Sequence, residues 1–176
     1  HFYSCSHDMG VECTRNAPLN FRSHAIGVVH TADFYGEDAK LAPWNSYEDV
    51  RPKGQGGLIF NAHRDITAPP YMLTRKQDIR MKRFSDCKYL GMFLGSVEGR
   101  KTRSKIFSLL SNRTDFLLGQ AYGEEYDRAF QSSKFCLVVR GLVTSTLRFS
   151  EIFVHACIPV IISDGYVPPF SGSINW

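Results

Sequence analysis

Residues 135–162 read FCLVVRGLVTSTLRFSEIFVHACIPVII. The stretch opens on an unbroken apolar run, Phe135–Val139, and passes through a loop rich in Gly, Ser and Thr. It continues with helical spacing and closes on a second apolar run, Ile158–Ile162, interrupted only by Pro159. Strands that are apolar throughout, rather than at every second residue, are covered on both faces, as in a parallel sheet. The helix expected over residues 146–156 supplies the crossover that parallel neighbours need. Working back toward the N-terminus, Tyr89–Leu94 is another apolar strand, and Gly95 to Gly99 bounds a polar loop. Residues 100–111 predict a helix with Ile106, Phe107, Leu109 and Leu110 on its apolar side. A strand follows over 115–120 and a helix over 124–132. The order is β-α-β-α-β-α-β, a Rossmann-type α/β domain whose ligands are expected outside the carboxyl ends of the strands. The loops at those ends are 95–99, 121–124, 139–146 and 163–170.

Upstream, residues 1–6 and 25–30 read as strands, with His7-Asp8-Met9-Gly10 as the turn after the first. Residues 31–72 hold Pro43, Pro52, Pro69, Pro70 and the cluster Gly54-Gln55-Gly56-Gly57. That is loop chemistry, with a short strand candidate at 58–60. The division expected is residues 1–86 as the remainder of one α/β domain and 87–176 as a second, incomplete at its end. The chain opens on His1-Phe2-Tyr3 and stops at Trp176 in a loop, so a fragment lacking both ends is expected.

Hydrophobic residues make up 43% of the 176, enough for a core, and charged residues 22%, which argues against disorder. The net charge of +4 suits an anionic small ligand or an acidic polymer and does not require nucleic acid. The denser basic sets are Arg80, Lys82 and Arg83, for which a solvated basic surface and a functional patch stand as equal alternatives, and Arg100, Lys101, Arg103 and Lys105. Of the cysteines, Cys136 and Cys157 sit in apolar runs and are expected as buried thiols; Cys5 and Cys13 can pair; Cys87 completes the set. No C-x-x-C occurs, which disfavours a zinc ribbon. Asn112-Arg113-Thr114 is an N-glycosylation acceptor triplet. No run reaches the ~18 apolar residues of a membrane span, and no signal peptide is visible.

On the helix expected over 146–156, Arg148, Glu151 and His155 fall within an arc of about 60°. Nearly every other position is apolar, which predicts a buried helix whose charged stripe is either paired or turned to a ligand. Ser145 or Thr146 can cap its start. Arg148 sits in the first turn, where the helix dipole opposes a cation by roughly 0.3–1 kcal/mol, and a bound phosphate would reverse that sign. Glu151, one turn on, can accept hydrogen bonds from ribose hydroxyls. The competing reading is an internal Arg148–Glu151 pair on an exposed stripe.

Several blocks occur in a fixed order: Phe135-Cys136-Leu137, Arg140-Gly141, Arg148-Phe149-x-Glu151, Ala156-Cys157-Ile158-Pro159-Val160, Tyr166-x-x-Pro169-Phe170 and Ile174-Asn175-Trp176. Upstream stand His1-Phe2, Cys5-x-His7-Asp8-x-Gly10 and Asp65-Ile66-x-x-Pro69-Pro70. Together they resemble the exostosin family of glycosyltransferases. Val139 and Met9 stand where that family usually has Pro and Trp, and residues 33–60 look longer than its usual spacer. The resemblance implies a GT-B architecture, two Rossmann-like domains with a nucleotide-sugar donor, a UDP-sugar being the expected form. It implies that Arg148 contacts the donor diphosphate and Glu151 its ribose, with Arg140 and Gly141 in the same pocket wall. Gly95, Arg100 and Arg103 match the family's glycine loop and following arginines and are expected at the phosphates; the bland alternative is a plain β-α turn beside a solvated basic helix face.

Such enzymes are similar to inverting transferases, in which an acceptor hydroxyl displaces the nucleotide diphosphate. Arg148 is the expected leaving-group stabiliser, and Asp8 and His7 are candidates for the base; the alternative is that these two only brace a turn. No Asp-x-Asp triplet occurs, so a metal clamp of that kind is not indicated and no cofactor is called for. The expected partners are the donor and a glycan acceptor, with a related transferase as a candidate companion. The resemblance further implies a Golgi-lumenal type II membrane protein with its anchor outside this sequence. A non-catalytic exostosin-like glycan-binding or complex-forming partner is the second reading. A Rossmann dehydrogenase ranks last, since no G-x-G-x-x-G fingerprint occurs.

Overall fold

The computed structural model describes residues 2–5, 24–29, 65–69, 82–98, 100–141, 147–163 and 166–176. They fall into two compact units. One comprises His1–Pro70, Leu142–Ser145 and Asp164–Trp176, the other Tyr71–Gly141 and Thr146–Ser163.

The first unit is built on a parallel sheet of strands β1 (Phe2–Cys5), β2 (Ile26–Val29) and β3 (Ile66–Thr67), in that order. The two-residue β3 lies in a segment whose prolines and glycines read as loop, and its neighbour explains why it forms. Asp65 is buried, and its Oδ1 accepts the Gly27 N–H at 3.0 Å, which fixes the pairing of β3 with β2. Thr67 draws the C-terminal residues to the same place. Its carbonyl accepts the Phe170 N–H at 2.8 Å, and its hydroxyl donates to the Pro168 carbonyl at 2.7 Å. These bonds are why Asp164–Trp176 groups with the first unit rather than with the strands that precede it in sequence. The Trp176 indole N–H closes this tail on the Pro169 carbonyl at 2.8 Å. The strand candidate at 58–60 lies outside the described residues.

The second unit holds β4 (Tyr89–Leu94), α1 (Lys101–Leu110), β5 (Phe116–Gly119), α2 (Gly123–Ser132), β6 (Ser133–Val139), α3 (Arg148–Val154) and β7 (Ile158–Ile162). A short 3₁₀ turn, Phe84–Asp86, precedes them. All strands are parallel, in the order β5-β4-β6-β7. The expected β-α-β-α-β-α-β order is therefore present, and its α/β, Rossmann-like sheet is of the kind found in GT-B domains. The chain steps from β4 outward to β5 and then crosses back to β6. With right-handed crossovers, that reversal puts α1 on one face and α2 and α3 on the other. In sheets with such a reversal, ligands are expected outside the carboxyl ends of the strands.

Both faces are packed. Phe93, Leu137 and Val139 form one layer with Ile106, Phe107 and Leu110 of α1, and Phe107 meets Phe93 edge-on at 6.1 Å. Alternation turns Met92, Leu94, Cys136 and Val138 to the opposite face, beneath the helices that bury Phe130, Phe149 and Ile152. On α3 the expected all-round burial is not met. The helix is shorter, Arg148–Val154, and Leu147 and Phe153 are exposed while Phe149 and Ile152 are buried. Its N-cap is Leu147 without a side-chain cap bond; Ser145 and Thr146 lie outside the described residues.

Two expectations are corrected here. Cys136 and Cys157 are not buried thiols but a disulfide. β6 and β7 pair as neighbours with Cys136 opposite Pro159, and Cys157, directly before β7, lies 6.0 Å away Cα to Cα. The apolar setting that suggested buried sulfur was read correctly, but strand adjacency, which decides pairing, is not visible in a linear sequence. The second concerns Lys82, for which a solvated surface is one of the two readings. Its ammonium donates to the carbonyls of Phe130 and Ser133, both at 2.6 Å, where α2 ends, and burial pulls its pKa below the ordinary lysine value. A cation there satisfies carbonyls that the helix leaves open. Replacing Cys136 and Cys157 together by Ala is expected to lower the unfolding free energy by about 3 kcal/mol, the scale for a loop of this length. Denaturant melts check it, and midpoints equal with and without reductant would show the sulfurs unpaired.

Candidate functional site

The described residues of the second unit enclose a pocket of about 340 Å³, lined by Leu94, Gly95, Ser96, Gln120, Ala121, Tyr122, Gly123, Tyr126 and Arg148. It opens at the carboxyl ends of β4 and β5, in the loops 95–99 and 121–124 expected to receive ligand. Gly123, at φ +58°, starts α2 on the pocket wall.

Arg148 supplies the guanidinium of that wall. Its Nη2 donates to the Leu94 carbonyl at the end of β4, and its guanidinium carbon lies 4.8 Å from the centre of the Phe93 ring. A ring face within ~6 Å attracts a cation, so carbonyl and ring together hold the charge in place. Gly95 makes room for it: a Cβ there would come within 3.0 Å of Nη2. The glycine thus lies against the arginine as well as on the pocket wall, where the sequence suggested a phosphate cradle.

Arg103 serves the same ring from α1, with its guanidinium carbon 5.4 Å from the Phe93 centroid. It donates to the carbonyls of Arg140 at 3.1 Å, Ser96 at 3.1 Å and Val139 at 3.2 Å. It thus braces the ends of β4 and β6, and Gly141 permits this, since a Cβ there would stand 2.8 Å from Nη2. Burial, and then the charges of Arg148 and Arg100, pull the Arg103 pKa below the ordinary arginine value. The like charges are therefore close enough to feel one another, and an anion between them would relieve the repulsion. Arg100 is the N-cap of α1. Arg140 is buried at the end of β6, where its N–H donates to the Ile162 carbonyl at 3.0 Å; neither it nor Gly141 lines this pocket.

Glu151 stands behind the wall. Its Oε2 accepts the Tyr126 hydroxyl at 2.6 Å, and Tyr126 is itself a wall residue. Burial first, then the bond to Glu151 and its charge, push the Tyr126 phenol up to about 12, against the opposing pull of Arg148. Tyr126 is the residue that sequence reasoning missed: its place in a polar helix, among Glu125, Asp127 and Arg128, gave no signal apart from its own ring. His155, third of the expected stripe, turns away into the core, stacked on Phe130 at 4.7 Å with Nε2 3.5 Å from Asp127. His7 and Asp8 lie outside the described residues. Asn112 is exposed in the turn after α1, at the amino ends of the strands and so at the opposite end of the sheet from the pocket. Among the described residues, no group of three or more His, Cys, Asp or Glu could hold a metal ion.

The model of the exostosin GT47 domain matches residues 54–176. The chain belongs to the exostosin GT47 family. Exostosin-1 of Drosophila melanogaster is 34% identical over 190 residues, covering 89% of this chain and 25% of that protein. A probable glycosyltransferase of Arabidopsis thaliana is 33% identical over 90 residues, covering 49% of this chain and 17% of its own length. A probable glucuronosyltransferase of Oryza sativa subsp. japonica is 28% identical over 139 residues, covering 72% and 32%. The chain thus spans about a third or less of these relatives. In this exostosin chain the Arg148-x-x-Glu151 block is placed by β6, α3 and β7, with the arginine reaching the pocket and the histidine that follows packing inside.

That histidine makes stability depend on pH. Burial lowers the His155 pKa below 6.5, outweighing Asp127 and Glu151, which raise it; Lys82 acts in the same direction as burial. A depressed folded-state pKa gives a contribution that is complete above the unfolded value and is lost as pH falls through the folded one. Thermal melts are expected to fall between about pH 7 and pH 5, and His155→Gln to flatten that limb; an unchanged limb would acquit His155.

Proposed function

We propose that this chain is the donor-binding part of an inverting glycosyltransferase that moves a sugar from a nucleotide-sugar, a UDP-sugar in the first instance, to a polysaccharide or proteoglycan glycan. The observation that carries this reading is the Arg148 guanidinium in the wall of a pocket at the carboxyl ends of β4 and β5, with Arg103 beside it on the Phe93 ring. A fixed cation there suits the charge that develops on a departing diphosphate. Glu151, whose Oε2 is tied to Tyr126, has Oε1 for a ribose hydroxyl, and among the described residues no hydrogen bond reaches that oxygen. Relatives named glycosyltransferases and glucuronosyltransferases support the reaction class.

In the proposed step the acceptor oxygen forms a bond to the anomeric carbon as the bond from that carbon to the diphosphate breaks. The acceptor proton passes to a base, Asp8 or His7, and the nucleoside diphosphate leaves with the electron pair, beside Arg148. The disulfide Cys136–Cys157 suits an oxidising compartment and supports a lumenal, Golgi placement with an anchoring segment elsewhere in the protein. No described helix is long and apolar enough to cross a membrane. A glycan acceptor and a related transferase as companion complete the proposal. The non-catalytic alternative predicts donor binding without turnover, or none.

Calorimetry with uridine diphosphate on the full-length protein tests the reading. Arg148→Ala is expected to weaken binding at least ~10-fold, the scale of a lost charge-assisted bond. Asp8→Asn should spare binding and lower turnover. Equal binding by wild type and Arg148→Ala would sink the site assignment, and unchanged turnover would remove Asp8 as the base. A lumenal placement also has Asn112 carry an N-glycan, since its triplet sits in an exposed turn pinned by the Arg113–Asp115 bonds at 2.8 and 2.6 Å. Asn112→Gln should remove one glycan by mass and leave donor affinity unaltered; an unchanged mass would refute the modification.

A further inference from the structure

The pocket has two unlike walls. Arg148 brings a cation to one, held on the Leu94 carbonyl and the Phe93 ring. The loop after β5 makes the other from Gln120, Ala121, Tyr122 and Gly123, none of them charged. Leu94 and Gly119 are register partners, so this loop leaves the sheet beside the carbonyl that holds Arg148. Tyr122 is its large residue. It is 81% exposed, more than any other large hydrophobic side chain among the described residues. Single apolar side chains on a surface are ordinary, but this ring stands on the wall of a concave site. Its hydroxyl reaches Gln120 Oε1 only at 3.5 Å, and among the described residues its ring packs on no other ring. The backbone sets it there. Tyr122 is extended, at φ −140° and ψ 158°, and Gly123 follows at φ +58°. A Cβ on Gly123 would meet nothing within 4 Å, so that glycine serves the turn and not close packing. Glu124 and Glu125 occupy the first turn of α2 and already supply the negative charge that its start attracts. A phosphate is therefore drawn to the Arg148 side, which leaves the Tyr122 side to the uncharged part of a ligand.

We propose that Tyr122 is the stacking platform for the base of a nucleoside diphosphate whose phosphates lie at Arg148. The inference rests on the donor reading above and deepens it, by assigning the nucleobase to the loop after β5. Every base has a flat π face, and an exposed tyrosine ring offers the matching surface. Gln120 stands on the same wall, and its amide both donates and accepts, as the edge of a base does. The ligand that fits such a pocket is anionic at one end and flat, polar-edged and uncharged at the other.

Two probes separate the walls: uridine diphosphate, which has a base, and inorganic pyrophosphate, which has none. Calorimetry on the full-length protein compares wild type, Tyr122→Ala, Tyr122→Phe and Arg148→Ala with both. Because the Tyr122 side chain is exposed, its removal leaves no cavity in the core. Tyr122→Ala is expected to weaken uridine diphosphate binding roughly 10-fold, within the scale of one base stacked on one aromatic ring, and to leave pyrophosphate binding unchanged. Tyr122→Phe keeps the ring and should bind both ligands nearly as wild type does. Arg148→Ala should weaken both. Uridine diphosphate affinity untouched by Tyr122→Ala but reduced by Arg148→Ala would overturn the stacking role and leave the donor reading standing; a raised KM for the acceptor glycan in that variant would then put a sugar on the ring instead. Equal losses for the two ligands in Tyr122→Ala would also overturn it, since the residue would then act on the phosphates. So would a Tyr122→Phe as weak as Tyr122→Ala, which would assign the effect to the hydroxyl. Both ligands bound equally by wild type and Arg148→Ala would remove the donor reading itself.

Discussion

The candidate site depends on how Phe93 is held. Its side chain is completely buried at the end of a central strand, and the guanidiniums of Arg103 and Arg148 both lie on its ring. An aromatic face attracts cations without giving them a counter-charge, so it holds two arginines near one another while leaving their net charge in place. The carbonyls of Leu94, Ser96, Val139 and Arg140 satisfy several of their N–H groups in the same spirit, with neutral acceptors. The outcome is a fixed, partly desolvated positive field beside a pocket, which is worth more to an anion than the same charges on mobile surface lysines.

The rest of the second unit keeps that field in register. β4 presents Phe93 to α1 and Leu94 to the opposite face by simple alternation, and α1 brings Arg103 over the first while α3 brings Arg148 to the carbonyl of the second. Two glycines are part of the same construction. Gly95 leaves space for Arg148 and Gly141 for Arg103, so a side chain at either position would press on the guanidinium beside it. At the other end of the sheet, the disulfide and Lys82 tie the start of β7 and the end of α2 to β6. The two ends divide the labour: one is cross-linked and capped, the other is left open around the arginines.

How much of this could be read in the sequence follows from the range of the forces involved. The strands at 89–94 and 158–162 and the helices around 101–110 and 123–132 were legible because apolar runs and helical spacing are local patterns. Arg148 stood out because a cation in the first turn of a largely apolar helix is a local anomaly, and the structure has it in the pocket wall. The disulfide, the brace at Arg103 and the bond from Tyr126 to Glu151 were not legible, because each joins elements that only the sheet order brings together. β3 was missed for the opposite reason: a buried carboxylate at Asp65 and a hydrogen-bonded Thr67 outweighed a local composition that favours loop.

The same comparison bears on what Glu151 is for. Read along the helix, its spacing from Arg148 allows an internal pair or a shared ligand, and the sequence offers no means of choosing. The phenol of Tyr126 bears on the question, because its hydroxyl donates to Glu151 Oε2 at 2.6 Å and so gives the carboxylate a neutral partner. A direct pair would neutralise the site and leave it stable but inert toward anions. In the structure the carboxylate is bound to the phenol while the cation stays at the pocket wall, on the Leu94 carbonyl and the Phe93 ring. The stripe seen in the sequence is therefore divided: Arg148 lines the pocket, Glu151 binds Tyr126 of α2, and His155 stacks on Phe130.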